Sequence, residues 1–217
     1  MIPLGDVSRR PLRFPAVTLA LILANGFVFF LELAGGEAFV STWAMVPADI
    51  VGGRHWITML TATFLHGSWS HILGNMLFLW VFGPEIEDAM NPGRYLIFYL
   101  AGGVAANLAQ IALAPASTVP TLGASGAIAA VMGAFLITYP RDRIRTVLLI
   151  GFFFTVTFVP AFLLIGLWFL LQLISVGAVT TAQAGGGGGV AYAAHVGGVI
   201  FGALTARLFE DARRIGE

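Results

Sequence analysis

The chain has 217 residues, of which 58% are hydrophobic and only 10% are charged, and its mean hydropathy is +0.90. A soluble domain carries about 25% charged residues, so this composition indicates an integral membrane protein. Eleven arginines balance eleven acidic residues and lysine is absent, so the net charge is zero and nucleic-acid binding is excluded. The sequence has no cysteine, which excludes disulfides, thiolate metal sites and a cysteine nucleophile.

The length of the chain allows one compact helical bundle and no separate soluble domain, because each membrane span needs about 20 apolar residues. The fold class expected is an all-α polytopic membrane protein with a bundle of six transmembrane helices. We expect residues 1–14 to form a cytoplasmic segment, residues 15–209 the membrane domain and residues 210–217 a cytoplasmic tail.

The first predicted span runs from Pro15 to Leu33 behind an arginine-rich start. This beginning resembles a signal peptide, but five more apolar segments follow, so we interpret it as an uncleaved helix. Residues 34–68 are too polar for a span and contain Trp43 and Trp56. Amphipathic aromatic side chains settle at the membrane interface, so this segment is expected to lie there.

The next three spans are shorter and are separated by turn signals. His71 to Glu87 and Arg94 to Ala112 predict the second and third spans, and Gly123 to Tyr139 predicts a fourth of only 17 residues. Because 17 residues barely cross the hydrocarbon core, we expect the fourth helix to begin inside the membrane rather than at its surface.

A run of 32 residues without a charge extends from Thr146 to Gly177. It is too long for one ordinary helix and too short for two helices with a turn. Pro160 divides it, which favours an interfacial or re-entrant piece up to Val159 and a fifth span that begins at Ala161.

The sixth predicted span runs from Val190 to Leu208, after a flexible loop formed by Gly185 to Gly189. With six spans, ten of the eleven arginines fall on one side of the membrane. The positive-inside rule therefore predicts that both termini are cytoplasmic.

His71 and Asn75 are four residues apart, so they share one face of the second helix. One interpretation is structural, because polar side chains in membranes often bond to each other or to a neighbouring helix. The other is functional, because ionisable residues within the membrane are functional candidates by default. These two residues alone leave both interpretations open.

Ser125 lies in Gly123-Ala124-Ser125-Gly126, where a loop becomes the short fourth helix. Its backbone N–H is among the unpaired donors of a helix start, and the flanking glycines allow another chain to approach the hydroxyl. The string alone is weak, because small residues are common at helix contacts in membranes. Position 127 is alanine, so the Gly-x-Ser-x-Gly elbow of soluble hydrolases is excluded.

His195 begins a small-residue ridge on the sixth helix, and a similar ridge follows Ser125 on the fourth. If the two ridges face each other, Ser125 and His195 come within hydrogen-bonding reach, as a nucleophile and its base must. Neither span contains an acidic residue, which predicts a dyad rather than a triad. The ridges consist of Gly126, Ala130 and Gly133 on the fourth helix and of Ala194, Gly198 and Gly202 on the sixth.

Other intramembrane hydrolases are excluded by what the sequence lacks. It has no His-Glu-x-x-His motif for zinc and no pair of aspartates at membrane depth, so neither a metal nor a cofactor is expected. A small transporter or channel would need an intramembrane charged pair or repeated broken helices, and the sequence has neither.

Taken together, these motifs resemble the bacterial rhomboid family of intramembrane serine proteases. The resemblance spans residues 64–202 and implies a six-helix bundle with a water-filled cavity open to the outer side. It implies further that Ser125 attacks the peptide bond of a substrate's transmembrane segment and that His195 is the general base. The matching residues are His66, His71, Asn75, Glu87, Gly123, Ser125, Gly126, His195, Gly198 and Gly202.

The resemblance also implies that His71, Asn75 and the Ser125 N–H hold the oxyanion. The partners it implies are the lipid bilayer and single-pass membrane proteins, and the location is a bacterial inner membrane. Residues 34–68 would wall the cavity, while Gly185 to Gly189 and the fifth helix near Trp168 and Phe169 would form its cap and gate. The oligomeric state is left open.

Two points qualify the resemblance. Some relatives carry an aromatic ring four residues after the serine that stacks on the histidine, whereas this chain has Ala129. Tyr192 or other packing must then orient His195.

The alternative function is a catalytically silent rhomboid-like protein that binds membrane clients. Such proteins usually lack the serine or the histidine, and this chain has both, so catalysis is favoured.

Overall fold

The computed structural model describes residues 1–150, 153–182 and 191–211. Within them, six helices of 14 or more residues form a bundle, and a small antiparallel sheet lies at one end of it. In chain order the elements are β1 (Ile2–Asp6), α1 (Ala16–Trp43), α2 (Pro47–Val51), α3 (Thr58–Thr61), a 3₁₀ turn (Ala62–Phe64), α4 (Trp69–Met90), α5 (Pro92–Leu113), α6 (Ser125–Thr138), β2 (Arg143–Ile150), β3 (Phe153–Pro160), α7 (Ala161–Ala182) and α8 (Tyr192–Phe209).

Helix α6 forms the centre of the bundle. Its residues from Gly126 to Phe135 are all buried, and it packs against α4, α5, α7 and α8. A helix that is apolar on every side is stable only when other elements surround it, as they do here. Large aromatic side chains fill the space around it, among them Phe82, Tyr95 and Phe98, which are fully buried.

The mainly helical, membrane-type architecture expected from the composition is confirmed. Of the helices in the described residues, α1, α5 and α8 are long and apolar enough to cross a membrane. Two shorter apolar helices are α6 and the part of α7 from Ala161 to Val176. The number of spans, six, stays a prediction.

The segment up to Val159, expected to be an interfacial or re-entrant piece, forms a β-hairpin, and the all-helical expectation omitted this sheet. Strands β2 and β3 pair antiparallel in a hairpin, and β1 pairs with β2, which gives the order β1-β2-β3. The hairpin is rich in β-branched and aromatic residues, which fit a pleated surface. The hydropathy of such an apolar run does not distinguish a strand from a helix, which is why these strands were not predicted from the sequence.

The first helix and the loop after it also differ from the expectation. Helix α1 continues past Leu33 to Trp43 and is kinked at Gly36, whose φ of 60° favours glycine. The following loop is tied to the loop before α6 by backbone hydrogen bonds. Met45 and Thr121 exchange two of them, at 3.0 and 2.7 Å, and the Gly123 N–H donates to the Ala62 carbonyl at 2.9 Å.

One end of the bundle, called here the arginine end, holds the sheet, the junction of α4 and α5, and the last residues of α8. Arg9 pairs with Asp142, and Arg94 donates to the Glu210 carbonyl at 3.2 Å. At the same end, the buried carboxylate of Glu87 accepts hydrogen bonds from the backbone N–H groups of Val17 and Thr18, at 2.9 and 2.7 Å. Glu87 therefore caps the start of α1.

The start of α7 is also fixed at the arginine end. The Ala161 N–H donates to the Asp142 carbonyl at 2.8 Å, and the Phe162 N–H donates to the Pro140 carbonyl at 3.0 Å. Ala161 and Ile165 are fully buried. Leu164 is buried as well, so one face of the first turns is packed, whereas no side chain from 166 to 176 is buried. Helix α7 is therefore anchored at its first turns and loosely packed beyond them.

Candidate active site

A cavity of about 850 Å³ lies at the end of the bundle opposite the arginine end. Its walls come from the loop before α4, the first turns of α4, the segment between α5 and α6, and helices α7 and α8. Residues 34–68 were expected to wall the cavity, and the last two of them, Gly67 and Ser68, line it. The lining residues include His71, Asn75, Ser125, Trp168, Tyr192 and His195.

Ser125 and His195 meet at the floor of this cavity. The Ser125 Oγ lies 2.7 Å from the His195 Nε2, a hydrogen-bond distance. Each residue sits at the beginning of its helix, Ser125 as the first residue of α6 and His195 in the first turn of α8. The Ser125 N–H has no acceptor within its own helix, because the first N–H groups of any helix lack one.

The contact between the two small-residue ridges explains why Ser125 and His195 meet. A Cβ added to Gly198 would overlap the carbonyl oxygen of Gly126, and one added to Gly202 would overlap the carbonyl oxygen of Ala130. The backbones of α6 and α8 therefore touch directly, as the sequence predicted. Gly126 also has no space for a side chain towards α5, because its Cβ would lie 2.6 Å from the Ala106 Cβ.

Two side chains of α7 contact the His195 ring, and neither was assigned this contact from the sequence. The His195 Nδ1 lies 2.7 Å from the Gln172 Oε1. The Trp168 ring lies 5.5 Å from the His195 ring, at 37° between their planes. Tyr192, which the sequence offered as a candidate, meets the ring edge-on at 6.4 Å. The only signal for Gln172 was a side-chain amide in the otherwise apolar first three turns of α7 and the turn that follows them.

His71 and Asn75 line the cavity beside Ser125. Asn75 is buried, and its side-chain Nδ2 has no hydrogen-bond partner within the residues that the structure describes. Gly123 has a φ of +132°, and a Cβ there would lie 2.9 Å from the His71 Nε2 and 3.5 Å from the Ser125 Oγ. Only glycine fits this position, and its absent side chain lets the imidazole stand next to the serine.

His66 supports His71 from behind, and Glu32 in turn holds His66. The His66 N–H donates to both carboxylate oxygens of Glu32, at 3.0 and 3.1 Å. The His66 ring packs edge-on against the His71 ring with 5.1 Å between centroids. Burial lowers the pKa of His66 to about 4, so its ring is neutral at pH 7. The sequence interpretation missed Glu32 because it lies within an apolar span.

The sequence-predicted site residues therefore fall into three groups. Ser125, His195, His71 and Asn75 line one cavity, whereas His66, Gly123, Gly126, Gly198 and Gly202 shape the surroundings of these four. Glu87 lies at the other end of the bundle, where it caps α1. In the part of the chain that the structure describes, no group of three or more His, Asp or Glu side chains could hold a metal ion.

Comparison with known proteins identifies the family. Residues 53–211 match the family model described as the Rhomboid domain, so the chain belongs to the rhomboid family of integral membrane proteins. It is 32% identical over 133 residues to the rhomboid protease GluP of Bacillus subtilis, which covers 59% of this chain and 26% of GluP. It is also 28% identical over 205 residues to the mitochondrial RHOMBOID-like protein 12 of Arabidopsis thaliana, which covers 87% of this chain and 57% of that protein.

A third relative is the putative rhomboid protease YdcA of Bacillus subtilis, 27% identical over 124 residues, with 57% of this chain and 62% of YdcA covered. The chain thus spans between a quarter and two thirds of the length of these three relatives. Their names include proteases and proteins called rhomboid-like, so membership of the family is shown while catalytic activity is a separate question.

Proposed function

We propose that the chain is an intramembrane serine endopeptidase that cleaves transmembrane segments of membrane proteins near the outer face. The observation that carries the proposal is the 2.7 Å hydrogen bond between the Ser125 Oγ and the His195 Nε2 inside a cavity of the bundle. A nucleophile and its base must lie within such a distance for the proton to pass between them. Relatives named as rhomboid proteases support the same reaction.

In the acylation half, the Ser125 Oγ attacks the carbonyl carbon of the substrate peptide bond while its proton moves to the His195 Nε2. The carbon becomes tetrahedral and its oxygen carries the negative charge. When the carbon–nitrogen bond breaks, His195 returns the proton to the leaving amine. The amine-side fragment departs, and the other fragment remains as an ester on Ser125.

Three donors are placed to hold the negatively charged oxygen: the Asn75 side-chain amide, the His71 ring and the Ser125 N–H. Asn75 is buried with its Nδ2 unpaired within the described residues, so this donor is available to a substrate. Donors fixed in advance stabilise the charge that develops in the transition state without reorganising during the reaction.

In the deacylation half, water enters through the cavity, His195 takes one of its protons, and the oxygen attacks the ester carbon. The carbon–oxygen bond to Ser125 breaks and the proton passes to the Ser125 Oγ. The cavity has a polar lining that suits this water, which includes Ser68, Ser70, Gln110 and Ser117. No cofactor takes part in the proposed reaction.

The proposed orientation places both termini in the cytoplasm of a bacterial cell. Arg9, Arg94 and Arg207 all lie at the arginine end, and the cavity lies at the opposite end. Under the positive-inside rule the arginine end faces the cytoplasm, so the cavity opens towards the outer face. The proposed substrates are single-pass membrane proteins cut near that face.

The test compares the wild-type protein with Ser125→Ala and His195→Ala, reconstituted in lipid vesicles with a single-pass substrate. Fragments are identified by mass spectrometry, and Ser125 is probed with a fluorophosphonate. The wild type should cut near the outer membrane boundary and become labelled, whereas both variants should be at least about a thousandfold slower. Ser41→Ala and His55→Asn are matched controls, because both side chains are exposed and lie outside the cavity.

Cleavage by Ser125→Ala at the wild-type rate would refute the proposal. A wild-type protein that cuts none of several substrates and is not labelled would instead favour the client-binding function. In that case binding of a single-pass protein, measured by co-purification from vesicles, should be equal for the wild type and Ser125→Ala.

Asn75→Ala tests the oxyanion donors separately from the dyad. Because one donor is lost and the others remain, we expect kcat to fall about a hundredfold while fluorophosphonate still labels Ser125. Steady-state kinetics in vesicles measures the effect, with Leu73→Ala as the control on the exposed face of the same helix. An unchanged kcat would remove Asn75 from the oxyanion site.

A further inference from the structure

Gln172 of α7 contacts Nδ1, the ring nitrogen of His195 that does not bond Ser125. The His195 ring has one nitrogen 2.7 Å from the Ser125 Oγ and the other 2.7 Å from the Gln172 Oε1. We propose that Gln172 is a positioning residue that holds the Nδ1 proton of His195 and thereby leaves Nε2 free to accept the proton of Ser125. This inference rests on the proposed function, since it assigns a role within the same site.

The chemistry of the two nitrogens makes the assignment specific. A neutral imidazole carries one N–H, so one nitrogen donates and the other accepts. With its amide oxygen towards the ring, Gln172 can only accept, so the proposal requires that the Nδ1 facing this oxygen carry the proton. The Nε2 then has its lone pair directed at Ser125, which is the tautomer that a general base needs. The opposite tautomer would offer Ser125 a second donor and would stop proton transfer.

The site uses a neutral amide where a catalytic triad uses a carboxylate. The sequences of α6, α7 and α8 contain no Asp or Glu, so these three helices offer no acid to bond Nδ1. In a triad the acid fixes the histidine tautomer and also stabilises the imidazolium. Gln172 performs the first task by accepting the Nδ1–H in both protonation states. Unlike a carboxylate, Gln172 carries no charge, so the site needs no buried anion within the membrane.

Trp168 holds the same ring from its face and belongs to the same surface of α7. It lies four residues before Gln172, so the two side chains are neighbours on one side of the helix. Its ring is tilted by 37° to the imidazole, at 5.5 Å between centroids. The orientation of His195 is therefore set by α7, whereas the position of its backbone is set by α8.

The anchoring of α7 makes this orientation dependent on where its outer half lies. One face of the first turns of α7 is buried through Ala161, Leu164 and Ile165, whereas no side chain from 166 to 176 is buried, and Leu170, Leu171 and Ile174 beside Gln172 are 51%, 51% and 61% exposed. An outward displacement of this half would remove the Trp168 and Gln172 contacts together. His195 would then keep its place on α8 and lose the partner that selects its tautomer.

The kinetic test uses Gln172→Leu, which removes the acceptor, and Gln172→Glu, which keeps one at the same chain length. Gln172→Leu should lower kcat about ten- to a hundredfold with KM unchanged, because Gln172 is not among the residues that line the cavity. Gln172→Glu should retain more activity than Gln172→Leu. Ser175→Ala is the control on the same helix, since its hydroxyl donates to the Leu171 carbonyl of that helix.

A spectroscopic test reads the tautomer directly and needs no activity. In protein labelled with ¹⁵N-histidine, the His195 signals are assigned by their loss in His195→Ala. The wild type should show a protonated Nδ1 and an unprotonated Nε2, and Gln172→Leu should shift the population towards protonated Nε2. If Gln172→Leu does not fold, Gln172→Met serves in its place, because it has similar length and no strong acceptor.

The outcomes separate this inference from the proposed function. An inactive, unlabelled wild type whose Nδ1 is protonated through Gln172 would refute the protease and leave the positioning contact standing. An active wild type whose kcat and tautomer are unchanged in Gln172→Leu would overturn the inference and leave the protease standing.

Discussion

The two sides of His195 are built in opposite ways. On one side, α8 touches α6 backbone to backbone, at glycines that leave no room for a Cβ. On the other side, α7 reaches the ring through two side chains, from a half of the helix whose flanking residues are exposed. Backbone packing therefore fixes the distance between Ser125 and His195, and a loosely packed helix fixes how the imidazole is turned.

This difference separates what must be constant from what is free to vary. In the proposed reaction a substrate segment has to enter the cavity from the bilayer, so some wall of the cavity must yield while the nucleophile and base stay together. The contact between α6 and α8 does not allow such movement, because backbones packed in direct contact cannot slide past each other without separating. The outer half of α7 has fewer buried side chains than the contact between α6 and α8. This difference favours the sequence-based expectation that the outer half of α7 forms the gate. The other expected part of the gate, Gly185 to Gly189, lies outside the described residues.

The largest effect is expected from adding one methyl group to each side of the comparison. Gly202→Ala places a Cβ against the Ala130 carbonyl oxygen, whereas Gly166→Ala on α7 has no atom within 4 Å of its new Cβ. The first change should lower the free energy of unfolding by about 3 kcal/mol or more and abolish activity, since overpacking forces the helices apart. The second should change neither. Denaturation in detergent and cleavage assays measure both, and equal stability of the two variants would disprove the contrast.

A smaller effect is expected from Trp168→Ala, which removes the ring that covers His195 and leaves the contact between α6 and α8 intact. An aromatic contact contributes on the order of 1 kcal/mol, so kcat should fall about fivefold, and the free energy of unfolding should fall much less than in Gly202→Ala. Leu170→Ala is the control, because that side chain is on the same helix and half exposed. If Trp168→Ala lowered stability as much as Gly202→Ala, α7 would be as firmly packed as α8.

The smallest effect concerns the anchor of α7 at the arginine end. Burial raises the pKa of Asp6 from 3.8 to about 6, next to Asp142, whose carbonyl oxygen holds the first turn of α7. The folded protein thus favours protonated Asp6, and this stabilisation is complete below pH 3.8 and is lost as the pH rises through about 6. Arg9 opposes the shift, while Asp142 and Glu85 face the same carboxyl group.

The unfolding temperature should therefore decrease by a few degrees between pH 5 and pH 7, with Asp6→Asn reducing that slope. The difference between the slopes of the wild type and Asp6→Asn isolates Asp6 from other titrating groups. Asp49→Asn, in the exposed pair with Arg54 on the loop after α1, is the control. The same slope in the wild type and Asp6→Asn would exclude Asp6 as its source.

The parts of the site that sequence predicts are those encoded by local spacing. Gly198 and Gly202 repeat every fourth residue, and this period implies a close helix contact without any knowledge of the fold. Ser125 at a helix start and His195 at the start of its ridge then follow. His71 and Asn75 are predicted for the same reason, because their spacing places them on one face of α4.

The parts that the sequence does not predict depend on tertiary placement. Gln172 is 23 residues from His195 on another helix, and only the packing of α7 brings the two together. Glu32 appears as an isolated acid in an apolar span until the loop before α4 folds back onto it. The hairpin from Arg143 to Pro160 was not predicted, because the hydropathy of an apolar run of β-branched and aromatic residues does not distinguish a strand from another interfacial or re-entrant segment.

The capping of α1 by Glu87 has a consequence for the order in which the chain assembles. Helix α1 begins after Pro15, which has no side-chain acceptor, so the N–H groups of Val17 and Thr18 depend on a carboxylate about 70 residues further along. During synthesis, all residues of α1 are made before Glu87, so the first helix exists for a time without its cap. Its starting turn must then remain in contact with water or headgroups until α4 arrives. The first turn of α1 is therefore completed only when α4 packs against it, which couples the folding of the first helix to the arrival of its partner.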